Sequence, residues 1–409
     1  MHELFQLSQH LIRTHNRPYE RNFLQKKPFN SRFSILLGER GVGKSTAIIQ
    51  YIMHYCKNSP TPEKVLFVQA DHFLVNKFSL YEIADKFHSN GGELICFDEI
   101  HKYPEWSSEL KSLYDTFPSL KLIASGSSAL EILKGSHDLS RRVIINRLRG
   151  LSFREYLEMS LNMQFDTVSL SDILNKHTEI ASAVINKLEA DKRRVIQLFR
   201  KYLVNGYYPY FHEFEDVENF KTVVEQGIQA AIESDLPSVH PSLTGASVHK
   251  IKKLLSYLAS AVPFTPDMRK LKTLMDIGDE RTLKNYLSYM HDAGVISLVP
   301  AAGKGMGTIG KNGKIYLANP NQYHAINRTI NNEGSIRETF FVSMLYNSHK
   351  IAIPVEGDFL VDEKFVFEIG GKSKDFSQIK NIENSFLALD DMESGYGNKI
   401  PIWLFGFLS

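Results

Sequence analysis

The stretch SILLGERGVGKST, residues 34–46, predicts the fold of the first part of this chain. SILL is an apolar run of the kind that forms a buried strand, and the AIIQYIMHY that follows the stretch has helical character. The residues between them fit the pattern G-x-x-x-x-G-K-[ST], in the strand, loop and helix context that this phosphate-binding loop requires. The alternative, a chance glycine-rich turn, does not account for the correct elements on both sides.

The residue types of the loop suit a nucleotide. Glycines let backbone N–H groups point at a phosphate chain, and the positive end of the following helix attracts the same phosphates. Lys44 is expected to contact the β and γ phosphates, Ser45 to bind Mg²⁺, and Thr46 to contact a nearby phosphate. The predicted nucleotide-binding residues are Gly38, Glu39, Arg40, Gly41, Val42, Gly43, Lys44, Ser45 and Thr46.

Two carboxylates follow the next strongly apolar run, LICF, at residues 98 and 99. At the tip of a strand, Asp98 can hold Mg²⁺ through water, and Glu99 can orient and deprotonate an attacking water. Taken alone, an Asp-Glu pair after a strand fits a solvated loop or a helix start better than a catalytic site. Because a phosphate-binding loop lies upstream, we favour a role of the pair in hydrolysis.

ATP is predicted in preference to GTP. A further apolar strand at residues 65–69 lies between the two motifs along the chain, which suits ATPases that insert a strand between the loop strand and the carboxylate strand. No N-K-x-D stretch that could read guanine follows residue 120. We therefore expect ATP and Mg²⁺ as cofactors.

Further polar residues are candidates for the same site. The apolar strand at residues 120–124 runs into SGSS, so Ser125 or Ser127 could contact the γ phosphate or the attacking water, unless these serines cap a helix. An arginine from LSRRVIINRLRG could stabilise transition-state charge, in its own chain or in a neighbouring subunit, although most such arginines are ordinary surface residues. The arginines of that segment are Arg141, Arg142, Arg147 and Arg149.

Composition excludes several classes of protein. With 409 residues, at roughly 150 per domain, the chain has room for two or three domains, and its 43% of apolar residues is enough for packed cores. A net charge of +2 gives no general argument for binding nucleic acid or a membrane. Cys56 and Cys96 suggest neither a disulfide framework nor a zinc site. No apolar run has the length of a membrane span or of a signal peptide, so we expect a soluble, cytoplasmic protein.

Changes of pattern along the chain predict four parts. Residues 1–155 alternate strands and helices as a parallel α/β sheet does, and residues 156–245 have helical periodicity. Residues 246–314 have the order helix, turn, helix, extended segment, followed by a glycine-rich wing. Residues 315–409 mix a helix with β-like runs at 359–361, 364–369 and 400–407, and form a separate α+β part.

Over nearly its whole length, the chain resembles the bacterial and archaeal AAA-type ATPases that carry a C-terminal domain of uncharacterised function, the AAA_14 plus DUF4143 architecture. The segments that carry this resemblance are GERGVGKST, LICFDEIHKYPEW, LIASGSSALEI and LSRRVIINRLRGLSFREYL. The resemblance implies a P-loop core of the ASCE type that LSFREY closes. Arg142 matches the family's arginine, although Arg141 replaces the glycine that precedes it there. The predicted catalytic residues are therefore Glu99, Ser125 and Arg142.

Residues 281–287 and 293–296, RTLKNYL and AGVI, resemble the winged-helix element of that family. In DNA-binding relatives of the motif, the second helix enters the major groove and the basic wing contacts phosphates. A local basic surface consistent with this use comprises Arg281, Lys284, Lys304, Lys311 and Lys314. Winged helices also serve as protein-interaction modules, and we favour that use slightly.

The last part resembles a restriction-endonuclease-like core. In such a core a helix glutamate, an aspartate and an E-x-K strand end bind Mg²⁺ and activate water. Glu338, Asp358 and Glu368 match the three carboxylates and form a candidate second metal site, but Gly370 stands where the lysine is expected. The nearest lysines, Lys372 and Lys374, lie two and four residues later, and Lys372 could supply the amine only by swinging back into the site. We therefore expect weak metal binding at most, no cleavage, and use as a docking domain.

Together these observations predict an ATP-hydrolysing AAA-type ATPase whose C-terminal modules dock a protein partner or DNA. A homo-oligomer is compatible with this function, and no membrane is involved. Two alternatives stay open at this point: a nucleotide-dependent binding switch that hydrolyses little, and an ATP-gated, metal-dependent nuclease.

Overall fold

A computed structural model describes residues 1–58, 62–126, 139, 141–303, 313–328, 332–346 and 348–408. The chain divides into two compact units. The first comprises Met1–Gly150 together with Glu233–Leu243, and the second comprises Leu151–Ile232 together with Thr244–Ser409. Within the ranges just given, we find no helix with both the length and the apolar character that a bilayer crossing needs.

The first unit is a parallel sheet flanked by helices. Its strands are β1 (Phe33–Leu37), β2 (Val65–Gln69), β3 (Leu94–Asp98), β4 (Lys121–Gly126) and β5 (Ile144–Arg147). Its helices are α1 (His2–Thr14), α2 (Asn22–Gln25), α3 (Lys44–Asn58), α4 (Leu80–Ser89), α5 (Trp106–Thr116) and a four-residue helix, Leu236–Val239. The strand order is β2-β3-β4-β1-β5, and every neighbouring pair is parallel. The predicted α/β P-loop sheet is confirmed.

Burial explains why these segments are strands. Every residue of β1 and β3 is buried, as expected for parallel strands that helices cover on both faces. Ile35, Leu37 and Phe97 lie in one hydrophobic core with residues of α1, α4 and α5. Continuous apolar runs therefore marked these strands correctly in the sequence.

The sequence placed one strand wrongly and missed another. The strand inserted between β1 and β3 is β4, whereas β2 is the edge strand beside β3. Order along the chain does not determine order in a sheet, because crossover helices allow either neighbour. The short strand β5 pairs with β1, but its residues are exposed or only half-buried and lack the apolar run that marks the others.

The second unit contains the remaining labelled elements. Its helices are α6 (Phe153–Leu161), α7 (Leu170–Ala190), α8 (Val195–Asn205), α9 (Val217–Ala230), α10 (Gly245–Ala261), α11 (Met268–Leu274), α12 (Glu280–Asp292), α13 (Pro320–Ile326) and α14 (Glu333–Leu345). Its strands are β6 (Ile296–Val299), β7 (Lys314–Leu317), β8 (Ile351–Ala352), β9 (Phe359–Val361), β10 (Phe365–Gly370), β11 (Ser385–Leu389) and β12 (Lys399–Pro401). They form an antiparallel pair, β6-β7, and a sheet of order β12-β11-β10-β9-β8.

The first compact unit ends at Gly150, and the LSFREY segment lies in the second. The LSFREY segment begins α6, and its Phe153 packs against Phe199, Tyr202 and Trp403, all of them in the second unit. Aromatic packing thus joins this segment to other residues of the second compact unit. The first unit instead gains residues 233–243, which the sequence placed in a helical part.

The sequence predicts an order of helices and strands for residues 246–314 and for residues 315–409. Helices α10, α11 and α12 precede the β6-β7 hairpin, the order that a winged helix requires, and that assignment stays a prediction. In the last part, β9 is antiparallel to β10 while β11 is parallel to it, so this sheet is mixed. The predicted strand at 400–407 is only β12, because the fully buried Ile402–Phe407 forms a 3-10 helix.

A buried amide ties α8 to α13. The Asn321 side chain accepts a hydrogen bond from the Tyr207 backbone N–H (2.8 Å) and donates to the carbonyl oxygens of Tyr202 (3.1 Å) and Leu203 (3.0 Å). The last carbonyls of a helix have no partner within the helix. One side chain therefore satisfies both the end of α8 and the turn that follows it.

Asn321→Ala should destabilise the second unit by about 3 kcal/mol, since it removes three buried hydrogen bonds to the backbone. Denaturant unfolding followed by circular dichroism measures this change. The control is Asn175→Ala, on the exposed surface of α7, where we expect a change within about 0.5 kcal/mol. Equal unfolding midpoints for the two variants would contradict the assigned role.

Candidate nucleotide-binding site

The loop between β1 and α3 requires its glycines. Gly41 and Gly43 have φ angles of +82° and +93°, in the left-handed region that glycine adopts without strain. At Gly38 a Cβ atom would lie 2.2 Å from the carbonyl oxygen of Leu148, which leaves no room for a side chain. The motif glycines are thus required by the backbone path around the loop.

Arg21 supports the phosphate loop through hydrogen bonds to backbone carbonyl groups. Its guanidinium donates hydrogen bonds to the carbonyl oxygens of Val42 (3.1 Å), Arg149 (2.9 Å) and Gly150 (2.9 Å). The side chain is buried, so these bonds are shielded from water. Sequence reasoning missed Arg21, because it lies outside the motif and no local pattern marks it.

Lys44 lies inside the loop. Its Nζ donates to the carbonyl oxygens of Gly38 and Glu39, each at 3.0 Å, and lies 4.0 Å from Glu99 Oε1. Burial lowers the pKa of Lys44, and the carboxylates of Glu99 and Asp98 oppose that shift. The ammonium is thus held among the loop carbonyls, where it can bind phosphate oxygens.

Asp98 meets two hydroxyls at the end of β3. Ser45 Oγ donates to its Oδ2 at 2.6 Å, and Ser125 Oγ donates to its Oδ1. Burial raises the pKa of Asp98, and the hydrogen bonds from Ser125 and Ser45 oppose that shift. A hydroxyl and a carboxylate are oxygen ligands of the kind that Mg²⁺ takes beside nucleotide phosphates. The residues present therefore fit the predicted cation at Ser45 and Asp98.

Ser125 is a strand residue rather than a helix cap. It lies in β4, which extends to Gly126 and so is longer than the predicted strand at 120–124. Besides donating to Asp98, its hydroxyl accepts a hydrogen bond from the backbone N–H of Glu99 at 3.2 Å. Ser127, the other candidate, lies outside the described residues.

Glu99 follows Asp98 with a φ angle of +53°, an uncommon conformation for a residue with a side chain. Its Oε2 lies 3.7 Å from His101 Nε2 and 3.8 Å from Lys102 Nζ, and its Oε1 faces Lys44. About a quarter of the side chain, 24%, is exposed, so water can reach the carboxylate. Backbone strain of this kind clusters at functional sites.

Arg142 is not brought to this site. Its guanidinium makes two hydrogen bonds to the Asp115 carboxylate, at 2.9 and 3.1 Å. Arg142 precedes β5, and β5 runs parallel to β1 with Ile144 beside Ser34. The phosphate loop follows the C-terminal end of β1, whereas Arg142 lies near its N-terminal end. Arg142 and the loop are therefore at opposite ends of the parallel strands. Its predicted role in its own chain is therefore not supported by its position.

Asp235 reaches the loop from a distant part of the sequence. Its Oδ1 lies 3.6 Å from Arg40 Nη1, and only 4% of the residue is exposed. The carboxylate also opposes the lowering of the pKa of Lys44. Sequence reasoning missed it, because nearly 200 residues separate it from the loop and its own neighbours form no motif.

The three tail carboxylates are paired with lysines. Lys314 Nζ lies 3.6 Å from Glu338 Oε2 and 3.8 Å from Asp358 Oδ1, while Lys374 Nζ lies 2.5 Å from Glu368 Oε1. In the described part of the chain, no group of three or more His, Cys, Asp or Glu side chains could hold a metal ion. The predicted second metal site is therefore not formed by Glu338, Asp358 and Glu368.

Two lysine predictions need correction. Lys374, rather than Lys372, reaches Glu368, and Gly370 makes this approach feasible because a Cβ there would lie 2.6 Å from the Lys374 Cβ. Lys314 belongs to this ion-paired cluster instead of to a basic surface. Arg281 and Lys284 are exposed on α12, whereas Lys304 and Lys311 lie outside the described residues.

Two parts of the chain match known protein families. Residues 30–157 match the family AAA_14, described as an AAA domain. These residues are thus similar to an AAA domain, and they include the P-loop sheet described above. Residues 196–332 match a domain of unknown function, DUF8612, so the DUF4143 part of the expected architecture is not confirmed.

Individual relatives add little about activity. The uncharacterized protein MJ1637 of Methanocaldococcus jannaschii is 29% identical over 233 residues, which is 55% of this chain and 48% of that protein. The match thus spans about half of that relative. Among solved structures, C. elegans PCH-2 is 13% identical over 70% of this chain and 68% of that chain, with a TM-score of 0.26. A DNA polymerase III gamma subunit-related protein of Thermotoga maritima is 11% identical over 66% and 98%, with a TM-score of 0.27. TM-scores this low carry no argument.

Lys44→Ala should weaken ATP binding by about 10- to 100-fold, the equivalent of a lost charge-assisted hydrogen bond. Isothermal titration calorimetry with ATP and Mg²⁺ measures the dissociation constant. Lys57→Ala removes an exposed lysine from the last turn of the same helix and should leave the affinity unchanged. Parental affinity in Lys44→Ala would exclude the loop as the nucleotide site.

The tail should not cleave DNA, because lysine ammonium groups already pair with the carboxylates that a metal ion would need. Purified protein is incubated with plasmid and linear DNA, with Mg²⁺ or Mn²⁺, and with or without ATP. We expect intact DNA in every reaction. Cleavage that disappears in Asp358→Ala would show instead that the cluster is a nuclease site.

Proposed function

We propose that this protein binds Mg·ATP at residues 38–46 and hydrolyses it. The observation that carries the proposal is the hydrogen bond of 2.6 Å between Ser45 and Asp98, which joins the phosphate loop to the carboxylate strand. Lys44 and Glu99 lie beside this pair, 4.0 Å apart. Phosphate binding, cation binding and a base are thus supplied at one edge of the sheet.

Each residue has a distinct task in the proposed reaction. Backbone N–H groups of the loop and the Lys44 ammonium bind the phosphate oxygens and draw charge away from the phosphate that is transferred. Ser45 and Asp98 would hold Mg²⁺, which neutralises phosphate charge when bound. Glu99 orients a water for attack on the γ phosphate and accepts its proton.

Ser125 has a positioning task in this proposal. Its hydroxyl bonds both the Asp98 carboxylate and the Glu99 backbone N–H, so it sets the direction in which the strand continues after Asp98. A change of about 1 Å in the position of a reacting group can cost about 100-fold in rate. The placement of Glu99 therefore depends on β4 as well as on β3.

Hydrolysis is favoured over a nucleotide-dependent switch by Glu99. A switch needs the loop and the cation ligands, but it has no need of a water-accessible carboxylate held in an uncommon backbone conformation beside them. ATP is proposed as the nucleotide because β4 lies between β1 and β3, an arrangement that supports the predicted ATPase class. The second unit would dock a protein partner or DNA, with the exposed Arg281 and Lys284 as a small basic contribution.

Glu99→Gln should keep ATP binding and slow turnover at least roughly 100-fold, the low end expected from loss of a general base. Steady-state phosphate release, measured with and without DNA, gives kcat, and calorimetry gives the affinity. Glu105→Gln, an exposed residue before α5, is the matched control and should have parental turnover. If Glu99→Gln turned over at the parental rate, Glu99 would not be the base.

A further inference from the structure

Lys102 lies between two carboxylates beside the candidate site. It ends the 3-10 turn Ile100–Lys102, which directly follows Glu99. Its Nζ donates a hydrogen bond of 2.7 Å to Asp71 Oδ2 and lies 3.8 Å from Glu99 Oε2. One ammonium group thus faces both the proposed base and a second carboxylate, to which the proposed reaction gives no task.

The sheet brings Asp71 to this position. Strands β2 and β3 are parallel, with Gln69 beside Asp98, and the backbone N–H of Ala70 donates to the carbonyl oxygen of Asp98 at 2.8 Å. The carboxyl ends of parallel strands lie at the same end of a sheet, so the residues that follow β2 lie beside those that follow β3. Asp71 therefore reaches Lys102 from the neighbouring strand, although 31 residues separate the two in sequence.

The carboxylate of Glu99 has charged neighbours but no short contact with them. Its Oε1 lies 4.0 Å from Lys44 Nζ, and its Oε2 lies 3.7 Å from His101 Nε2 and 3.8 Å from Lys102 Nζ. Among the residues that the structure describes, none donates a hydrogen bond to either carboxylate oxygen. The orientation of the side chain therefore depends on electrostatic attraction, and its oxygens can accept hydrogen bonds from water.

Of the two ammonium groups near Glu99, Lys102 is the one that does not bind phosphate in the proposed reaction. Lys44 faces the phosphate oxygens, so ATP competes with Glu99 for its charge. Burial lowers the pKa of His101 to about 4, so its imidazole is neutral at neutral pH. When nucleotide is bound, the charge of Lys102 stays directed at Glu99.

We propose that Lys102 is a positioning residue of the ATPase site, which orients the Glu99 carboxylate and is itself held by Asp71. The inference rests on the proposed function, because it concerns the same hydrolytic step. Asp71 takes the short hydrogen bond of the ammonium group, so Lys102 attracts Glu99 from 3.8 Å without donating to it. Glu99 is thereby kept in one orientation and can still accept a proton from water.

A role in stability alone accounts poorly for this arrangement. The side chains of Lys102 and Asp71 are 29% and 41% exposed, and ion pairs with such access to water contribute little to the free energy of unfolding. Loss of the Lys102 charge should therefore change hydrolysis much more than the melting temperature. We expect melting temperatures within about 3 °C of the parental one for the variants below.

Lys102→Met tests the proposal, because it keeps an unbranched side chain and removes the charge. We expect kcat to fall at least about 10-fold while KM for ATP changes less than about 3-fold, since the base is misplaced and the loop still binds phosphates. Lys102→Arg restores a positive charge and should recover part of the lost kcat. Lys77→Met changes an exposed lysine of the turn Val75–Lys77, and as the matched control it should keep parental kcat and KM.

Asp71→Asn tests the anchor of Lys102. It should also lower kcat, because the released ammonium group can then donate to Glu99 the hydrogen bond that it now donates to Asp71. In a Lys102→Met background the same change should have little further effect, because residues that act as a unit are not additive. Asp85→Asn, exposed on α4, is the control and should keep parental kcat. Equal losses from Asp71→Asn in both backgrounds would overturn the role of Asp71.

A second variant cycle shows whether Lys102 acts through the base. Single-turnover hydrolysis is measured for Lys102→Met in the parent and in a Glu99→Gln background. The rate should fall in the parent and change little where Glu99 is already replaced. The same fold-loss in both backgrounds would overturn the proposal, because a structural defect does not depend on the carboxylate of Glu99.

Failure of the inference differs from failure of the proposed function. Parent and Lys44→Ala proteins are assayed alongside the variants. Parental kcat for Lys102→Met in an active protein would overturn the positioning role alone. A parent without turnover that depends on Lys44 would overturn the ATPase proposal, and the positioning role with it.

Discussion

Asp98 lies at the end of β3 with only 2% of its surface exposed. A carboxylate in such a place costs free energy unless hydrogen bonds compensate for its lost hydration. Hydroxyls from the start of α3 and from β4 supply those bonds, at Ser45 and Ser125. One buried charge therefore holds the phosphate loop, β3 and β4 in register. The positions of Lys44 and Glu99 depend on it, because they adjoin Ser45 and Asp98 in the sequence.

The sequence predicted those parts of the fold that follow from local patterns. Continuous apolar runs marked β1, β2, β3 and β4, because parallel strands are buried on both faces. Their order in the sheet is a property of tertiary packing, so residues 65–69 were assigned the place that β4 occupies. Likewise, a buried apolar run such as Ile402–Phe407 is ambiguous between strand and helix, since no exposed face reveals its period.

The same division holds for the site. Lys44, Ser45, Asp98 and Glu99 could be named in advance, because each adjoins a motif whose chemistry is local. Arg21 and Asp235 could not, since each reaches its partners from another part of the chain. Arg142 shows the converse: resemblance to a family assigned it a role, yet it lies at the other end of the parallel strands. A resemblance to a family indicates which residue corresponds to a functional residue of that family. Only the structure shows where that residue lies.

The dependence of nucleotide affinity on Mg²⁺ tests the central role of Asp98 most directly. Calorimetric titrations with ATP are run with Mg²⁺ and with a chelator, on the parent and on Asp98→Asn, which keeps the shape of the side chain and removes its charge. The account predicts that Mg²⁺ strengthens ATP binding by the parent and that this gain is largely lost in the variant. An equal gain from Mg²⁺ in both proteins would contradict it.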